Sequence, residues 1–229
     1  MGDFQPKRFL FVRMKLLSLL VLLSFASAGL ANSQINLDSR SHTLLVVGDS
    51  LSAAYNIPPQ QGWVHLLRKQ LQQRNKKIIV VNGSISGATT AAGLQNLPLL
   101  LAKHQPEYVI LELGGNDGLQ GKPVTYIKSN LSQLIKTAQL AGAEVLLVGI
   151  RLPPNFGKRY TEPFFNQYGD LADLHNIAYM PFLLEGVAGD DSLMQDDGIH
   201  PNVAAQPIIL NTIWPYVEKL IGADVFIVK

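Results

Sequence analysis

Two short stretches, one early and one late in the chain, carry side chains that could transfer an acyl group. In the first, the apolar run from Leu44 to Val47 stops at Gly48 and is followed by Asp49 and Ser50. A serine at the carboxyl end of a buried strand lies where α/β sheets bind their ligands, so Ser50 is a candidate nucleophile. Asp and Ser are also the residues that ordinary turns and helix caps prefer. Asp49 is too near Ser50 in sequence to orient a base, and we expect it to anchor the turn.

The late stretch contains an acid and an imidazole at close spacing, Asp197 and His200. A serine hydroxyl is a weak nucleophile at neutral pH and needs a base to accept its proton. The base in turn needs a carboxylate that fixes its tautomer and stabilises the imidazolium. Asp197 and His200 can supply both from one loop, and Asp196 is a less well spaced alternative to Asp197. A capped helix that starts at Pro201, with a surface histidine before it, would explain the same residues without catalysis.

Two glycine-containing turns offer hydrogen-bond donors for a negatively charged intermediate. Asn116 follows a predicted strand at 108–113, and its amide can donate to an oxyanion, often the largest electrostatic contribution to acyl transfer. Gly87 follows a predicted strand at 78–81 and can present a backbone N–H that no side chain obstructs. The N–H of Ser50 is a third candidate donor if that residue begins a helical turn.

These four stretches resemble the sequence blocks of the SGNH (GDSL) hydrolase superfamily and occur in the same order, from Leu44 to His200. Three longer segments, at 112–119, 150–153 and 194–202, resemble one bacterial branch of that family. Members of this branch are multifunctional thioesterases, lysophospholipases and proteases, and the family also contains arylesterase-type relatives. The resemblance implies a serine hydrolase that works through a covalent acyl-enzyme.

The resemblance also implies a role for each candidate residue. Ser50 would be the nucleophile, His200 the base and Asp197 the residue that orients the base. The oxyanion hole would be formed by the N–H groups of Ser50 and Gly87 and by the amide of Asn116. All of these positions match the family's motifs.

Predicted strands and helices alternate along the chain. The strands are expected at 43–47, 78–81, 108–113, 144–150 and 178–180, and the helices at 61–74, 90–102, 123–142, 161–176 and 202–221. This alternation predicts an α/β fold, a three-layer α/β/α sandwich around a five-stranded parallel sheet. In the flavodoxin-like order 2-1-3-4-5, which the resemblance also implies, strands one and three are neighbours, so Ser50 and Asn116 would share one crevice. Pro98 predicts a kink or break in the second helix, and Pro207 and Pro215 predict a bend or a short first segment in the last.

The first 28 residues have the order of a secretory signal peptide: a basic lead, the apolar run 16–25 and a closing Ala-Ser-Ala. Cleavage is expected after Ala28 or at Ala31, and Met14 is an alternative start. A membrane anchor is the other interpretation, but the apolar run is short for a spanning helix. We therefore expect an exported protein, periplasmic or secreted, with a lead-in at 29–41, a hydrolase domain at 42–222 and a tail at 223–229.

The composition of the chain argues against several classes of function. The leader carries four basic residues and one acidic residue, so its removal changes the formal net charge from +2 to −1. The mature chain then has no basic tract of the kind that binds nucleic acid. The chain has no cysteine, which excludes disulfides and thiolate chemistry. The five histidines show no metal-ligand spacing, and we expect neither a metal nor a cofactor.

Four apolar residues on predicted loops are candidates for substrate binding: Leu119, Leu152, Pro153 and Ile199. An apolar rim suits an acyl chain, although packing between loops would explain each of them equally well. The segment 118–121 is bracketed by glycines and could move as a lid. We expect a monomer that hydrolyses esters and thioesters of fatty acids (lysophospholipids, acyl thioesters, aryl esters) and contacts lipid aggregates transiently. The alternatives are an esterase for short-chain aryl or carbohydrate acetyl esters and a lipid-binding protein without catalysis.

Overall fold

The computed structural model describes residues 1–2 and 41–222. In this part of the chain one sheet contains the strands β1 to β5, at His42–Gly48, Ile78–Asn82, Tyr108–Glu112, Glu144–Val148 and Ala178–Met180. The strands are parallel and their order is β2-β1-β3-β4-β5, which confirms the predicted α/β class and strand order. The helices α1 to α6 lie at Trp63–Arg74, Thr90–His104, Gly115–Leu119, Val124–Leu140, Lys158–His175 and Gln206–Ile221.

The first strand is apolar on both faces because helices cover both sides of the sheet. Side chains alternate along a strand, and those of β1 divide between two buried clusters. Leu44 and Val46 pack with residues of α1 and α6, whereas Leu45 and Val47 pack with residues of α2, α4 and α5. β1 pairs directly with β3 between these clusters, so that the carboxyl ends of the two neighbouring strands lie side by side.

Prolines interrupt the helices less than their positions suggest. The predicted break at Pro98 is wrong, because α2 is continuous through this residue. Leu97 and Leu101 are buried against the sheet and hold the helix in place despite the hydrogen bond that Pro98 cannot make. Pro215 also lies within a continuous helix, and Pro207 lies in the first turn of α6, where a proline is tolerated.

The last helix begins later than predicted, at Gln206 rather than near Asn202, and Pro201 is not its first residue. Pro201 instead forms an isolated antiparallel bridge with Met194. The side chain of Asn202 accepts hydrogen bonds from the N–H groups of residues 204 and 205, at 2.9 and 3.3 Å, and so closes a turn before the helix. The bridge and the turn fold the late candidate stretch into a loop.

Several predictions concern parts of the chain that are not described. The predicted leader and lead-in lie outside the described residues, apart from residues 1, 2 and 41, and so does the predicted tail at 223–229. Within the described residues, no helix combines the length and the apolar character needed to cross a bilayer.

Candidate active site

Ser50, His200 and Asp197 form a continuous hydrogen-bonded chain at the carboxyl edge of the sheet. Ser50 Oγ lies 2.8 Å from His200 Nε2, and His200 Nδ1 lies 2.6 Å from Asp197 Oδ2. An ionised carboxylate only accepts hydrogen bonds, so in the neutral imidazole Nδ1 carries the proton and Nε2 accepts one from the Ser50 hydroxyl. The carboxylate that contacts the imidazole is that of Asp197, not that of Asp196.

A compact turn holds the acid and the base at this spacing. Asp197 Oδ1 accepts hydrogen bonds from the N–H groups of Ile199 and His200, each at 2.9 Å. Gly198 has a left-handed conformation with φ +66°, which a glycine adopts without strain. Partial burial opposes the ionisation of Asp197, but the hydrogen bonds from His200 and Ile199 outweigh it and lower the pKa of Asp197 to about 2. This carboxylate is therefore ionised at every pH at which a histidine can act as a base.

The nucleophile turn, residues 49–57, follows β1 and carries the serine. Asp49 Oδ1 accepts a hydrogen bond from the Leu51 N–H at 3.0 Å, and the Asp49 carbonyl accepts one from the Ala53 N–H at 2.9 Å. These bonds confirm that Asp49 anchors the turn. Within residues 41–222 no acceptor takes the N–H of Ser50, so this donor is available to an oxygen of a substrate.

A buried glutamate, Glu112, forms hydrogen bonds to the nucleophile turn. Glu112, the last residue of β3, accepts hydrogen bonds through Oε2 from the Ser52 hydroxyl at 2.7 Å and from the Asp49 N–H at 3.3 Å. Its Oε1 is buried and has no hydrogen-bond partner among the described residues. A Cβ on Gly48 would lie 2.7 Å from Glu112 Oε2, so the glycine leaves room for the carboxyl group. Sequence reasoning missed Glu112, whose one signal was an acidic residue at the end of an apolar strand.

Burial makes Glu112 and Asp49 hard to ionise. Burial, with repulsion from Asp49, raises the pKa of Glu112 well above its usual value. Burial also raises the pKa of Asp49 to about 6, although the hydrogen bond from Leu51 and the nearby His200 act in the opposite direction. A buried charge without a cationic partner is costly, so the surroundings of Glu112 favour its neutral form.

Replacing Glu112 with glutamine should remove part of the pH dependence of stability. A carboxyl group whose pKa is raised on folding stabilises the fold below its unfolded pKa, and this contribution is lost as the pH rises through the folded pKa. The free energy of unfolding of the wild type should therefore fall with pH above about 5, and Glu112→Gln should flatten this slope. Urea denaturation at several pH values measures both proteins. Equal slopes would show that Glu112 does not change its protonation on folding in this range.

The structure brings Asn116 into contact with the nucleophile turn, and Gly87 precedes Ala88, whose carbonyl also accepts from Asn116. Asn116 lies in α3, a short helix that the sequence pattern did not predict, and its Nδ2 donates to Asp49 Oδ2 and to the Ala88 carbonyl, both at 3.0 Å. Both amide hydrogens therefore have acceptors within the protein. Gly87 has φ +78°, and a Cβ there would meet no atom within 4 Å. Its backbone conformation, rather than a lack of space, thus favours glycine.

A buried aspartate connects the loop of Gly87 to the helix of Asn116. Asp117 accepts hydrogen bonds from the N–H and the hydroxyl of Thr90, both at 2.7 Å. Asn130 donates to the same hydroxyl at 2.9 Å. Because Thr90 is the first residue of α2 and directly follows the Gly87 loop, these bonds hold the two candidate oxyanion donors in a fixed relation.

An apolar cavity of about 480 Å³ opens beside Ser50 and His200. All four residues predicted to bind substrate line it: Leu119, Leu152, Pro153 and Ile199. Sequence reasoning missed a further part of the lining that follows β5, namely Phe182, Leu183, Leu184 and Met194. These side chains come from a segment with no regular pattern, and only the fold shows that they line the cavity.

The predicted lid, 118–121, begins in the last turn of α3. A Cβ on Gly118 would lie within 3 Å of the side chains of Phe164 and Leu152, so the backbone packs directly on them. The Gly121 N–H donates to the Gly118 carbonyl at 2.9 Å. Movement of this segment stays a prediction.

Comparison with known proteins identifies relatives over most of the chain. Residues 46–207 match the GDSL-like lipase/acylhydrolase family. Esterase TesA of Pseudomonas aeruginosa is 50% identical over 181 residues, which cover 79% of this chain and 90% of the relative. Thioesterase 1/protease 1/lysophospholipase L1 of Escherichia coli K12 is 42% identical over 205 residues, which cover 90% of this chain and 92% of the relative.

A solved structure shares both the sequence pattern and the fold. A crystal structure of TesA is 51% identical and matches with a TM-score of 0.76, covering 78% of this chain and 99% of that one. The segment that matches the family contains every candidate of the triad and of the oxyanion hole. The family predicted from the four sequence blocks is thus confirmed: the chain belongs to the GDSL-like lipase/acylhydrolase family.

Proposed function

We propose that this protein is a serine hydrolase that cleaves ester and thioester bonds of fatty-acyl substrates through an acyl-enzyme on Ser50. The observation that carries the proposal is the chain Ser50–His200–Asp197, with contacts of 2.8 and 2.6 Å. Such a chain activates a hydroxyl because the imidazole accepts its proton and the carboxylate stabilises the resulting charge. Names of relatives, esterase and thioesterase, support the same chemistry.

In the proposed reaction, His200 Nε2 accepts the Ser50 proton while Oγ attacks the carbonyl carbon of the substrate. Asp197 stabilises the imidazolium that forms. When the tetrahedral intermediate collapses, the C–O or C–S bond breaks and His200 gives the proton to the departing alcohol or thiol. Water then attacks the acyl-enzyme with His200 as the base, which releases the fatty acid and restores the Ser50 hydroxyl.

Three donors would stabilise the oxyanion: the N–H groups of Ser50 and Gly87 and the side-chain amide of Asn116. Asp49 and the Ala88 carbonyl already hold the Asn116 amide through its two hydrogens. The amide dipole is therefore oriented before the substrate arrives, and the oxyanion would share a hydrogen with one of these acceptors. Preorganised donors of this kind need no rearrangement when the charge develops.

Replacing Asn116 with alanine should lower kcat about 100- to 1000-fold, because one oxyanion donor is lost while the triad remains. KM should change little, since the lost interaction forms mainly in the transition state. Steady-state hydrolysis of p-nitrophenyl octanoate measures both constants. A kcat close to that of the wild type would remove Asn116 from the oxyanion hole.

The cavity beside the serine suits a fatty-acyl group. Its volume of about 480 Å³ lies in the range of pockets that bind small molecules, and apolar side chains such as Ile150, Leu152 and Phe182 line it. Each buried methylene contributes roughly 0.8 kcal/mol, so a longer acyl chain should bind better until the cavity is filled. An acetyl group would leave most of this surface uncovered.

Chain-length profiling of the purified mature protein tests the substrate class. We expect kcat/KM to rise from acetate to medium-chain acyl groups, for oxygen esters and thioesters measured side by side. A maximum at acetate would instead favour the short-chain aryl or carbohydrate acetyl esterase. If the protein neither hydrolyses these substrates nor is labelled by a fluorophosphonate, the lipid-binding protein without catalysis is the remaining alternative.

We further propose that the chain is exported and acts as a monomer on lysophospholipids, with transient contact to lipid aggregates. The support is the leader-like order of residues 1–28 and the fact that an exported protein would not normally meet acyl-CoA. Mass spectrometry of the protein from a periplasmic fraction should find an N-terminus near residue 29. An intact N-terminus in the cytoplasmic fraction would contradict export.

A further inference from the structure

We propose that Gln195 is a positioning residue that sets His200 against Ser50 by clamping together the two loops that carry them. This role rests on the proposed function, because it serves the same hydrolytic site. The two loops are the nucleophile turn, 49–57, and the base loop, which we define as residues 193–202. Gln195 is half-buried between them, and among the described residues its side chain forms no hydrogen bond to the Ser50 hydroxyl or to the imidazole.

The side chain of Gln195 forms hydrogen bonds to both loops at once. Its Nε2 donates to the Tyr55 carbonyl in the nucleophile turn and to the Pro201 carbonyl in the base loop, both at 3.0 Å. Its Oε1 accepts a hydrogen bond from Asn56 Nδ2, also at 3.0 Å. Both amide hydrogens and the carbonyl oxygen are therefore engaged, and two of the three bonds cross from one loop to the other.

The backbone of Gln195 is bonded to the histidine itself. The Gln195 N–H donates to the His200 carbonyl at 2.8 Å, and the Gln195 carbonyl accepts a hydrogen bond from the Gly198 N–H at 2.9 Å. Displacement of Gln195 would thus displace the base. Within residues 41–222, the only other hydrogen bond between the base loop and the nucleophile turn is the Ser50–His200 contact.

The part of the turn that Gln195 holds has an unusual backbone. Ala54 and Asn56 both have left-handed conformations, with φ +59° and +54°. Residues with side chains seldom adopt this region and stay there only when their surroundings enforce it. Tyr55 lies between them, and its ring centroid is 4.4 Å from that of His200. The hydrogen bond from Gln195 to the Tyr55 carbonyl therefore also helps to position the Tyr55 ring, which packs against the imidazole.

Loss of the clamp should affect catalysis more than folding. Without it, the Ser50–His200 contact is the one hydrogen bond left between the two loops among the described residues, and a misplacement of about 1 Å can cost roughly 100-fold in rate. The three side-chain bonds are exposed or only partly buried, so water can replace them when the amide is removed. The effect should therefore appear in kcat, not in KM or in the free energy of unfolding.

Replacing Gln195 with methionine, which is similar in length and has no amide, tests the proposal. We expect a kcat about 10- to 100-fold lower with KM for p-nitrophenyl octanoate near the wild-type value. The rate of labelling by a fluorophosphonate should fall by the same factor, because that reaction also needs an activated Ser50. The matched control is Gln133→Met on the exposed side of α4, where the amide bonds to Ser129 alone among the described residues. This control should behave like the wild type.

A second variant, Asn56→Gly, removes one bond of the clamp and leaves a residue that tolerates the left-handed backbone. It should lower kcat by itself but cause no further loss in the Gln195→Met background, because both changes act on the same contact. Asn56→Gly alone decides the question if Gln195→Met fails to fold. A wild-type kcat in Gln195→Met or Asn56→Gly would overturn the proposal. So would a loss of kcat in Gln133→Met equal to that in Gln195→Met, or a double variant in which the two separate losses multiply. A wild type without hydrolysis or labelling would reject the proposed function instead.

Discussion

Replacing Ser50 with alanine should lower kcat for p-nitrophenyl ester hydrolysis about 10⁴- to 10⁶-fold. Alanine has no atom that can form the acyl-enzyme, so the remaining rate would come from the oxyanion donors and the cavity acting on water. Labelling by a fluorophosphonate should disappear. The Ser50 hydroxyl bonds to His200 at a partly exposed site, so the melting temperature should stay near that of the wild type.

The chain contains a matched control for this substitution. Ser132 Oγ lies 2.8 Å from His175 Nε2, the same separation as in the candidate site, but on α4 and α5. Among the described residues no carboxylate pairs with His175. Ser132→Ala should therefore keep both hydrolysis and labelling. Wild-type turnover by Ser50→Ala, or loss of labelling in Ser132→Ala, would show that the nucleophile is not Ser50.

Replacing Asp197 with asparagine should lower kcat by about 10⁴-fold. The carboxamide keeps the shape of the side chain but allows the imidazole to take the wrong tautomer and no longer stabilises the imidazolium. Because the pKa of Asp197 is lowered to about 2, the wild-type carboxylate stays charged throughout the working range. The loss should therefore have a similar size at every pH between about 5 and 8, as measured by pH profiles of kcat.

The neighbouring acid supplies the control for Asp197. Asp196 is exposed, lies one position away and was the alternative partner of His200. Asp196→Asn removes the same charge without touching the 2.6 Å contact between His200 and Asp197, so its kcat should match that of the wild type. A larger loss in Asp196→Asn than in Asp197→Asn would reverse the assignment.

Local sequence patterns were sufficient for much of the framework. The apolar run before Gly48 predicts a strand covered on both faces, and alternation with helices predicts a parallel sheet. From the sheet order alone, Ser50 and Asn116 were expected in one crevice, and both do follow adjacent strands of the sheet, β1 and β3. The pairing of Asp197 with His200 could also be predicted, because neighbouring residues determine a turn within one loop.

The supporting contacts could not be predicted, because they join residues far apart in the chain. Gln195 and Tyr55 are 140 positions apart, and nothing near either residue indicates the other. Glu112 resembles the ordinary end of a strand until the fold places it under the nucleophile turn. The predicted start of the last helix is wrong for a related reason. Pro201 alone predicts a helix, but the Met194–Pro201 bridge and the side chain of Asn202 form a loop there.

Gly48, Ser52 and Glu112 compete for one small volume. A Cβ added at position 48 would lie 2.7 Å from both the Ser52 hydroxyl and the Glu112 carboxyl. A larger residue at 48 is therefore compatible with this backbone only if positions 52 and 112 shrink with it, and such contacting sites do not vary independently. Evolution or laboratory selection that changes these positions one at a time would find each step unfavourable, while combinations of them remain open to the same fold.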